Sequence, residues 1–452
     1  MKIVTWLALA LGCISSPLTA APVIVTQTFQ QGAAGYTGSA DRRISANGTA
    51  DVDGSAVDTD VSTYFLDGGS SALNDAGASQ GLLRFDNIVG GGLPAGAKVI
   101  SATVDVVTTT TAVNANSQSG GAYNIYTLST PFDSTSTWAS PYGGDGLTGD
   151  VGPILGSFDD LGTAGTASSA RVDKAVQSWA DGAANLGFGI RSDRTTDGWS
   201  VNTTGASTVA NRPRLTVDYT VDPLVDVKSY QNGVNGYAGS SDLGLNPDEN
   251  GSTVQNVFVD GFSAAGTGSP DQPYLVRFDG VDTDYQEIHR AELIIKTGFA
   301  SGAADSPGPF TVHQMLTDWS TATTYASLDS NGDPAVNDLN ELLAAGVIAP
   351  ATASVSGIND TEVMYIDVTS IVESWRSGAP NFGFYIGTTE TSNGWQLFTT
   401  GATDPSFRPE LRIIGVQVPE PASLVVLLVY GVMVSPSLRP RAAAEMAGSL
   451  PG

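Results

Sequence analysis

Apolar positions along this chain recur at two spacings, and each spacing predicts its own element. Ala102, Val104 and Val106 alternate with polar neighbours, as do Ala291, Leu293 and Ile295, which is the period of a half-buried strand. Val172, Ala175, Val176 and Trp179 instead form one stripe of a short helix that Gly182 stops. Val368, Ile371, Val372 and Trp375 do the same before Gly378, and a further helical stretch covers Asp338–Ala344. Elsewhere short apolar runs break at Gly, Asn and Asp about every 8–12 residues, as in antiparallel β structure.

The pattern is written twice. Val172–Val217 returns without a gap as Val368–Ile413, 196 positions on, with 20 of 46 residues identical. Trp179, Gly182, Asn185, Gly187 and Phe188 come back as Trp375, Gly378, Asn381, Gly383 and Phe384. Trp199, Arg212 and Pro213 come back as Trp395, Arg408 and Pro409. Upstream, Gly32, Tyr36 and Asp41 match Gly233, Tyr237 and Asp242, and the run from Leu82 to Asp86 matches that from Leu275 to Asp279. Tyr123, Ile125, Phe132 and Trp138 match Phe310, Val312, Trp319 and Tyr325. Shared composition does not produce such agreement, so the chain is an internal duplication. The fold class that follows is all-β. Two tandem antiparallel sandwiches, each with one short helix, span residues 22–220 and 224–416, joined by Val221-Asp222-Pro223. Each half carries a full strand set and is expected to fold alone.

Charge narrows the partners. Acidic residues outnumber basic ones 46 to 20, a net charge of −26. Such a surface repels phosphate backbones and anionic lipid heads, which argues against nucleic acid as a ligand.

Both ends read as addresses. Residues 1–21 form an export signal: Met1 and Lys2, an apolar run from Ile3 to Leu11, then small residues up to a cleavage site at Thr19-Ala20-Ala21. The single cysteine, Cys13, lies inside it, so the mature chain is expected to hold no disulfide and no cysteine-based zinc site. Residues 417–452 carry Pro419, Glu420 and Pro421, then an apolar run from Leu424 to Val434, then Arg439 and Arg441. The run is short of the roughly 20 residues that span a bilayer. This arrangement resembles the PEP-CTERM sorting signal of Gram-negative bacteria, although Ala442–Gly452 extends the tail beyond its usual end. The resemblance implies recognition and cleavage by an exosortase-like enzyme. It also implies only transient membrane contact and delivery to the cell surface or extracellular matrix.

The body of each half also resembles a known family. The order of Leu82-Leu83-Arg84-Phe85-Asp86, an alternating strand, Trp138, the Val172–Phe188 block and Arg212-Pro213 is similar to the DNRLRE domain, a relative of alginate-binding carbohydrate modules. That resemblance implies a jelly-roll fold for both halves and a polysaccharide ligand. It carries over no individual binding residue.

The candidate chemistry is sparse. Trp179, Trp375, Trp199 and Trp395 share the parity of core residues, whereas Trp138 and Trp319 sit in loop-rich sequence and are the freer candidates for sugar-stacking platforms. Arg212 and Arg408 are expected in positioned salt bridges. His313 replaces Tyr126 and reads as a tolerant strand position. Asp329, Asn331, Asp333 and Asn337 have the spacing of a calcium loop, but Pro334 replaces the turn glycine and Asn340 the bidentate acid. The alternative is an Asx-turn leading into the following helix. No nucleophile, zinc or phosphate-loop motif occurs in a suitable context. The expectation is therefore a non-catalytic, exported protein that needs no cofactor beyond possible Ca2+ and binds extracellular polysaccharide. A structural spacer of the envelope or biofilm is the alternative, and a polysaccharide hydrolase or lyase a more distant one.

Overall fold

A computed structural model describes residues 22–46, 62–69, 77–109, 122–159, 161, 163–192, 198–245, 254–261, 272–298, 308–328, 339–356, 360–388 and 394–418. The first half contains β1 (Val25–Gln30), β2 (Ser39–Ser45), β3 (Thr63–Asp67), β4 (Ser79–Phe85), β5 (Lys98–Val107) and β6 (Tyr123–Leu128). It continues with β7 (Val151–Phe158), β8 (Ala167–Arg171), α1 (Asp173–Ala180), β9 (Phe188–Ser192), β10 (Gly198–Asn202) and β11 (Arg214–Thr220). The second half opens with β12 (Val225–Gln231), β13 (Ser240–Gly244), β14 (Asn256–Val259), β15 (Tyr274–Phe278), β16 (Tyr285–Lys296) and β17 (Phe310–Gln314). Two short helices, α2 (Tyr325–Leu328) and α3 (Leu339–Ala344), precede β18 (Ala353–Val355) and β19 (Val363–Asp367). The chain ends with α4 (Thr369–Arg376), β20 (Phe384–Gly387), β21 (Trp395–Phe398) and β22 (Glu410–Gln417).

The strand ladders are antiparallel, and their order repeats. One sheet runs β1-β11-β5-β8 and its counterpart β12-β22-β16-β19. The facing sheet runs β4-β9-β6-β7 with β2 beside β4, and its counterpart runs β15-β20-β17-β18 with β13 beside β15. Strands β3 and β10 pair as a flanking ribbon, as do β14 and β21. Without β2, β3 and β10, the eight remaining strands of the first half run 1-8-3-6 in one sheet and 2-7-4-5 in the other. That is the jelly-roll order, so each half is a jelly-roll sandwich. Helices α1 and α4 are the one helix common to both. Helices α2 and α3 belong to the second half alone, and α3 begins at Leu339.

Each sandwich closes on its own apolar core. Phe29, Val104, Leu215 and Val217 from one sheet meet Leu83, Ile125, Phe188 and Trp199 from the other. Leu293, Ile295, Leu411 and Ile413 meet Val276, Val312, Phe384 and Trp395 in the second half. The repeated helix stripe seals one side, with Trp179 5.1 Å from Phe188 and Trp375 5.2 Å from Phe384.

The repeated Asn-x-Gly-Phe has a local cause. Asn185 donates to the Phe85 carbonyl and accepts from the Gly187 amide, at 2.7 and 3.1 Å, and Asn381 does the same with Phe278 and Gly383 at 2.8 and 3.1 Å. Gly187 and Gly383 sit at φ +92° and +83°. A Cβ there would lie 2.7 Å from the Leu83 carbonyl oxygen and 2.3 Å from that of Val276. Only glycine fits the turn that starts β9 and β20.

The outer face of the second sheet is covered in both halves. Phe132, Trp138, Tyr142 and Leu147 close over Ile44, Leu82 and Leu128. In the second half Trp319, Leu328, Leu339 and Leu342 close over Leu243, Leu275 and Tyr385.

The two halves also meet. The outer face of β12-β22-β16-β19 lies against α1, β5 and β7 of the first half. Ile100 touches Val225 and Ile414, the Tyr365 hydroxyl donates to the Leu155 carbonyl at 2.6 Å, and the Val363 amide donates to Ser157 Oγ at 2.9 Å. At the far end the Gln417 amide donates to the Leu224 carbonyl at 2.7 Å, so β22 finishes beside the linker.

Candidate functional site

Several sequence candidates fall outside the described residues: the export segment 1–21, the calcium-type loop with Asp329, Asn331, Asp333 and Asn337, and the sorting motif Pro419, Glu420 and Pro421. The others can be placed. Trp179, Trp199, Trp375 and Trp395 are core residues. Trp138 and Trp319 are buried too, at 7% and 4% exposure, and are not platforms. Each is a cover residue whose indole N–H is used up, donating to the Gly144 and Phe382 carbonyls at 2.9 and 2.7 Å. The exposed large apolar side chains among the described residues are Val23, Ile24, Val25, Val221, Leu316 and Val418, all aliphatic.

Arg212 and Arg408 do not form the expected salt bridges. Their guanidinium groups donate to backbone carbonyls, Arg212 to Ala206 and Gln31 at 2.7 and 3.0 Å, Arg408 to Ala402 and Asn232 at 2.8 and 2.9 Å. They staple the loop before the last strand to the first turn. His313 is a buried strand residue. Both ring nitrogens lie 2.8 Å from a partner (the Ala349 carbonyl and Thr311 Oγ1), and Tyr385 stands edge-on to it. Burial pushes its pKa down from the ordinary histidine value.

Asp41 looks chemical but is structural. It is buried, and burial pushes its pKa up to about 6, against the opposing effect of hydrogen bonds from Thr204 and Tyr64. Those bonds tie the loop after β10 to β2, and Asp242 does the same with Thr400 and Tyr274. An open hollow of about 420 Å³ beside Asp41 is lined by Arg84 and Phe132. Arg84 is already committed to Asp86 and to the Phe132 carbonyl, so it offers a ligand little.

The strongest candidate lies between the halves. A cleft of about 390 Å³ opens where β12 and β22 approach α1. Its back wall is a buried ion network that neither half has alone. Arg412 donates to Glu292 at 3.1 Å, Asp173 at 3.3 Å, and the Val99 and Ile100 carbonyls at 2.8 and 3.0 Å. Arg171 bridges Asp173 and Glu292 at 2.5 and 2.9 Å, with its guanidinium 4.6 Å over the Tyr365 ring. Lys174 of α1 pairs with Glu410 of β22. Gln177 and Gln231 also line it but are committed, Gln177 to Val99, Ala97 and Asp181 and Gln231 to the Arg408 carbonyl, so the mouth is left with the exposed Ser178, Ser229 and Asn235, whose hydroxyls and amide donate and accept. Such a lining can hold a polar molecule by hydrogen bonds. Among the described residues no three His, Cys, Asp or Glu side chains converge to hold a metal, and no helix is long and apolar enough to cross a membrane.

The sequence did not reveal this cleft. Its residues come from both halves, up to 313 positions apart in the chain. The one available signal was that Glu292, Glu410 and Arg412 stand where the first half has Thr103, Arg214 and Thr216.

No family model matches the chain, and no curated protein does. Among solved structures, the infectious bursal disease virus VP2 subviral particle is 10% identical, covering 88% of this chain and 77% of that chain, with a TM-score of 0.14. The T=1 Penaeus vannamei nodavirus is also 10% identical, covering 88% and 99%, with a TM-score of 0.14. Likeness that weak carries no argument, and the fold rests on the strand order itself.

Proposed function

We propose that this is an exported, surface-sorted protein that binds extracellular polysaccharide without acting on it. The observation that carries this reading is the polar cleft between the halves, whose walls are locked by the buried ion network and whose mouth offers both donors and acceptors. A preformed cleft of that size falls within the range of small-ligand sites. The resemblance to DNRLRE domains supports a sugar as the ligand, and the PEP-CTERM-like tail supports the address. Retention of the full chain on gels containing dissolved polysaccharides tests the binding. Retardation by at least one polymer is expected, and free migration through all of them would leave the protein without this role.

A second reading is a spacer in the envelope or matrix. It is favoured by the outer face of β1-β11-β5-β8, a smooth polar surface of Thr28, Ser101, Thr103, Arg214, Thr216 and Asp218. Both readings share the address. The intact mass of protein isolated from its native host should lack residues 1–21 and the Leu424–Val434 run; material that keeps the run or fractionates with the cytoplasm would end the sorting proposal.

A further inference from the structure

We infer that the apolar run Leu424–Val434 folds back onto the body of the protein and covers an exposed apolar pole beside its own exit point. The seat itself needs only that run. Its use, to shield the tail until it is sorted, rests on the address proposed above. The starting observation is where the uncovered aliphatic side chains lie. Of the six large apolar side chains exposed among the described residues, five are Val23, Ile24, Val25, Val221 and Val418. Val23, Val221 and Val418 are each more than half exposed.

Strand pairing gathers these five at one end of the molecule. The start of β1 lies against the end of β11, with Val25 opposite Tyr219, which sets Val23 beside Val221. The start of β12 lies against the end of β22, with Val225 opposite Val416 and the Gln417 amide on the Leu224 carbonyl. The linker joins these two ladder ends through a fixed turn. Asp222 accepts from the Leu224 amide through Oδ1 at 2.9 Å and from the Val225 amide through its carbonyl at 3.2 Å. Strand spacing and chain length then hold Val23 within about 20 Å of Val418. The rows involved run past their covers. Val23, Val25 and Val221 continue the inward parity of Phe29 and Val217, and Val418 continues the row of Ile414 and Val416. The resulting patch is on the order of a few hundred Å², large enough to serve as a contact surface.

The occupant follows from what leaves this end. Strand β22 finishes at Gln417, and an aliphatic run begins at Leu424. Pro419–Ser423 spans up to about 20 Å when extended, enough to bring the run over any of the five. Attachment by so short a tether gives the run an effective concentration of about a millimolar, ahead of a second copy. A lipid surface is the poorer match. The five side chains are all aliphatic, without the tryptophan or tyrosine suited to a headgroup layer, and a net charge of −26 repels anionic heads.

Disulfide trapping in the full chain tests the seat. Cys13→Ser removes the native thiol, Val23→Cys and Val429→Cys are oxidised together, and pairing is read by intact mass after alkylation. An intramolecular bond is expected. With Ser207→Cys in place of Val23→Cys, exposed beyond the other end of β11, pairing should be about tenfold slower or more. Adding Val221→Asp and Val418→Asp, both at exposed positions, should slow the Val23–Val429 pairing about tenfold and leave the thermal transition in place. Pairing indifferent to that double substitution would reduce the contact to a tether and overturn the seat. A bond between two copies, or no bond at all, would overturn it too. Sedimentation with phosphatidylcholine vesicles separates the lipid alternative by sign. The double substitution should free the run and raise vesicle binding, whereas lowered binding would make the bilayer the occupant and overturn the seat. The intact mass of protein from the native host reads the sorting separately. A tail that pairs but is never cut keeps the seat and ends its use in sorting. A tail that is cut in the host, but whose thiols never pair, keeps the address and ends the seat.

Discussion

The same sheet face does opposite things in the two halves. On β11 and β5 of the first half, Thr216 lies opposite Thr103 and Arg214 opposite Asp105; Arg214 is exposed, the two threonines are half-buried, and Asp105 is buried under the arginine. On β22 and β16 of the second half, the equivalent pairs are Arg412 with Glu292 and Glu410 with Ile294, and all four are buried. The neighbours that point inward barely differ: Leu215 and Val217 in one half, Leu411 and Ile413 in the other. After the duplication, the positions that fill a sandwich core stayed constrained by volume. The outward positions differ between the copies, and in the second they form a wall that binds its neighbour.

Breaking that wall should therefore cost far more than touching its open twin. Arg412→Ala leaves Glu292 and Asp173 with less countercharge in a dry interface. It is expected to destabilise the protein by about 3–5 kcal/mol, whereas Thr216→Ala stays within about 0.5 kcal/mol. Denaturant unfolding of both variants checks this, and equal losses would mean that the ion network does not lock the halves.

The two halves should agree where their structures agree, at Asp41 and Asp242. Burial raises the pKa of both, for Asp41 from an ordinary 3.8 to about 6. The folded state thus holds the proton more tightly than the unfolded chain. The stability this group contributes is complete below about pH 4 and is lost as pH rises through about 6. For Asp41 the swing is up to about 3 kcal/mol. The difference in stability between the parent chain and Asp41→Asn, followed from pH 7 to pH 4, should shift in favour of the parent by a part of that amount. A pH-independent difference would show that Asp41 keeps an ordinary pKa.

The smallest effect is expected on the open face. The Arg214–Asp105 pair spans 2.6 Å, but the arginine is half exposed, so Arg214→Ala should cost less than about 1 kcal/mol and less still in high salt. A larger loss would mean that this face is covered by something.

How much of this was legible in the sequence follows from where periodicity operates. Ala102, Val104 and Val106 announce an inward strand face, and Trp179 a helix stripe, because regular elements impose their period on the residues. The repeat doubles the signal, and the jelly-roll order then follows. Trp138 and Trp319 could not be placed, because a cover segment has no period of its own and its burial depends on a sheet face elsewhere in the chain. The partners of His313 were hidden for a similar reason: the alignment compares it with Tyr126, whereas Ala349 and Thr311 satisfy it. The cleft was hidden because Asp173 and Arg412 come together only when one sandwich is set against the other.

One last property follows from the place of β22. It is flanked on one side by β12 and on the other by β16, it carries Glu410 and Arg412, and it runs directly into the residues beyond Val418. Any tension delivered through the tail therefore enters along a strand that two hydrogen-bonded ladders grip from either side. To yield, those ladders must slide as a whole and the inter-repeat ion pairs must part with them. A load applied along β22 from that end is borne in shear by both ladders of the second sandwich, together with the ion pairs that tie it to the first.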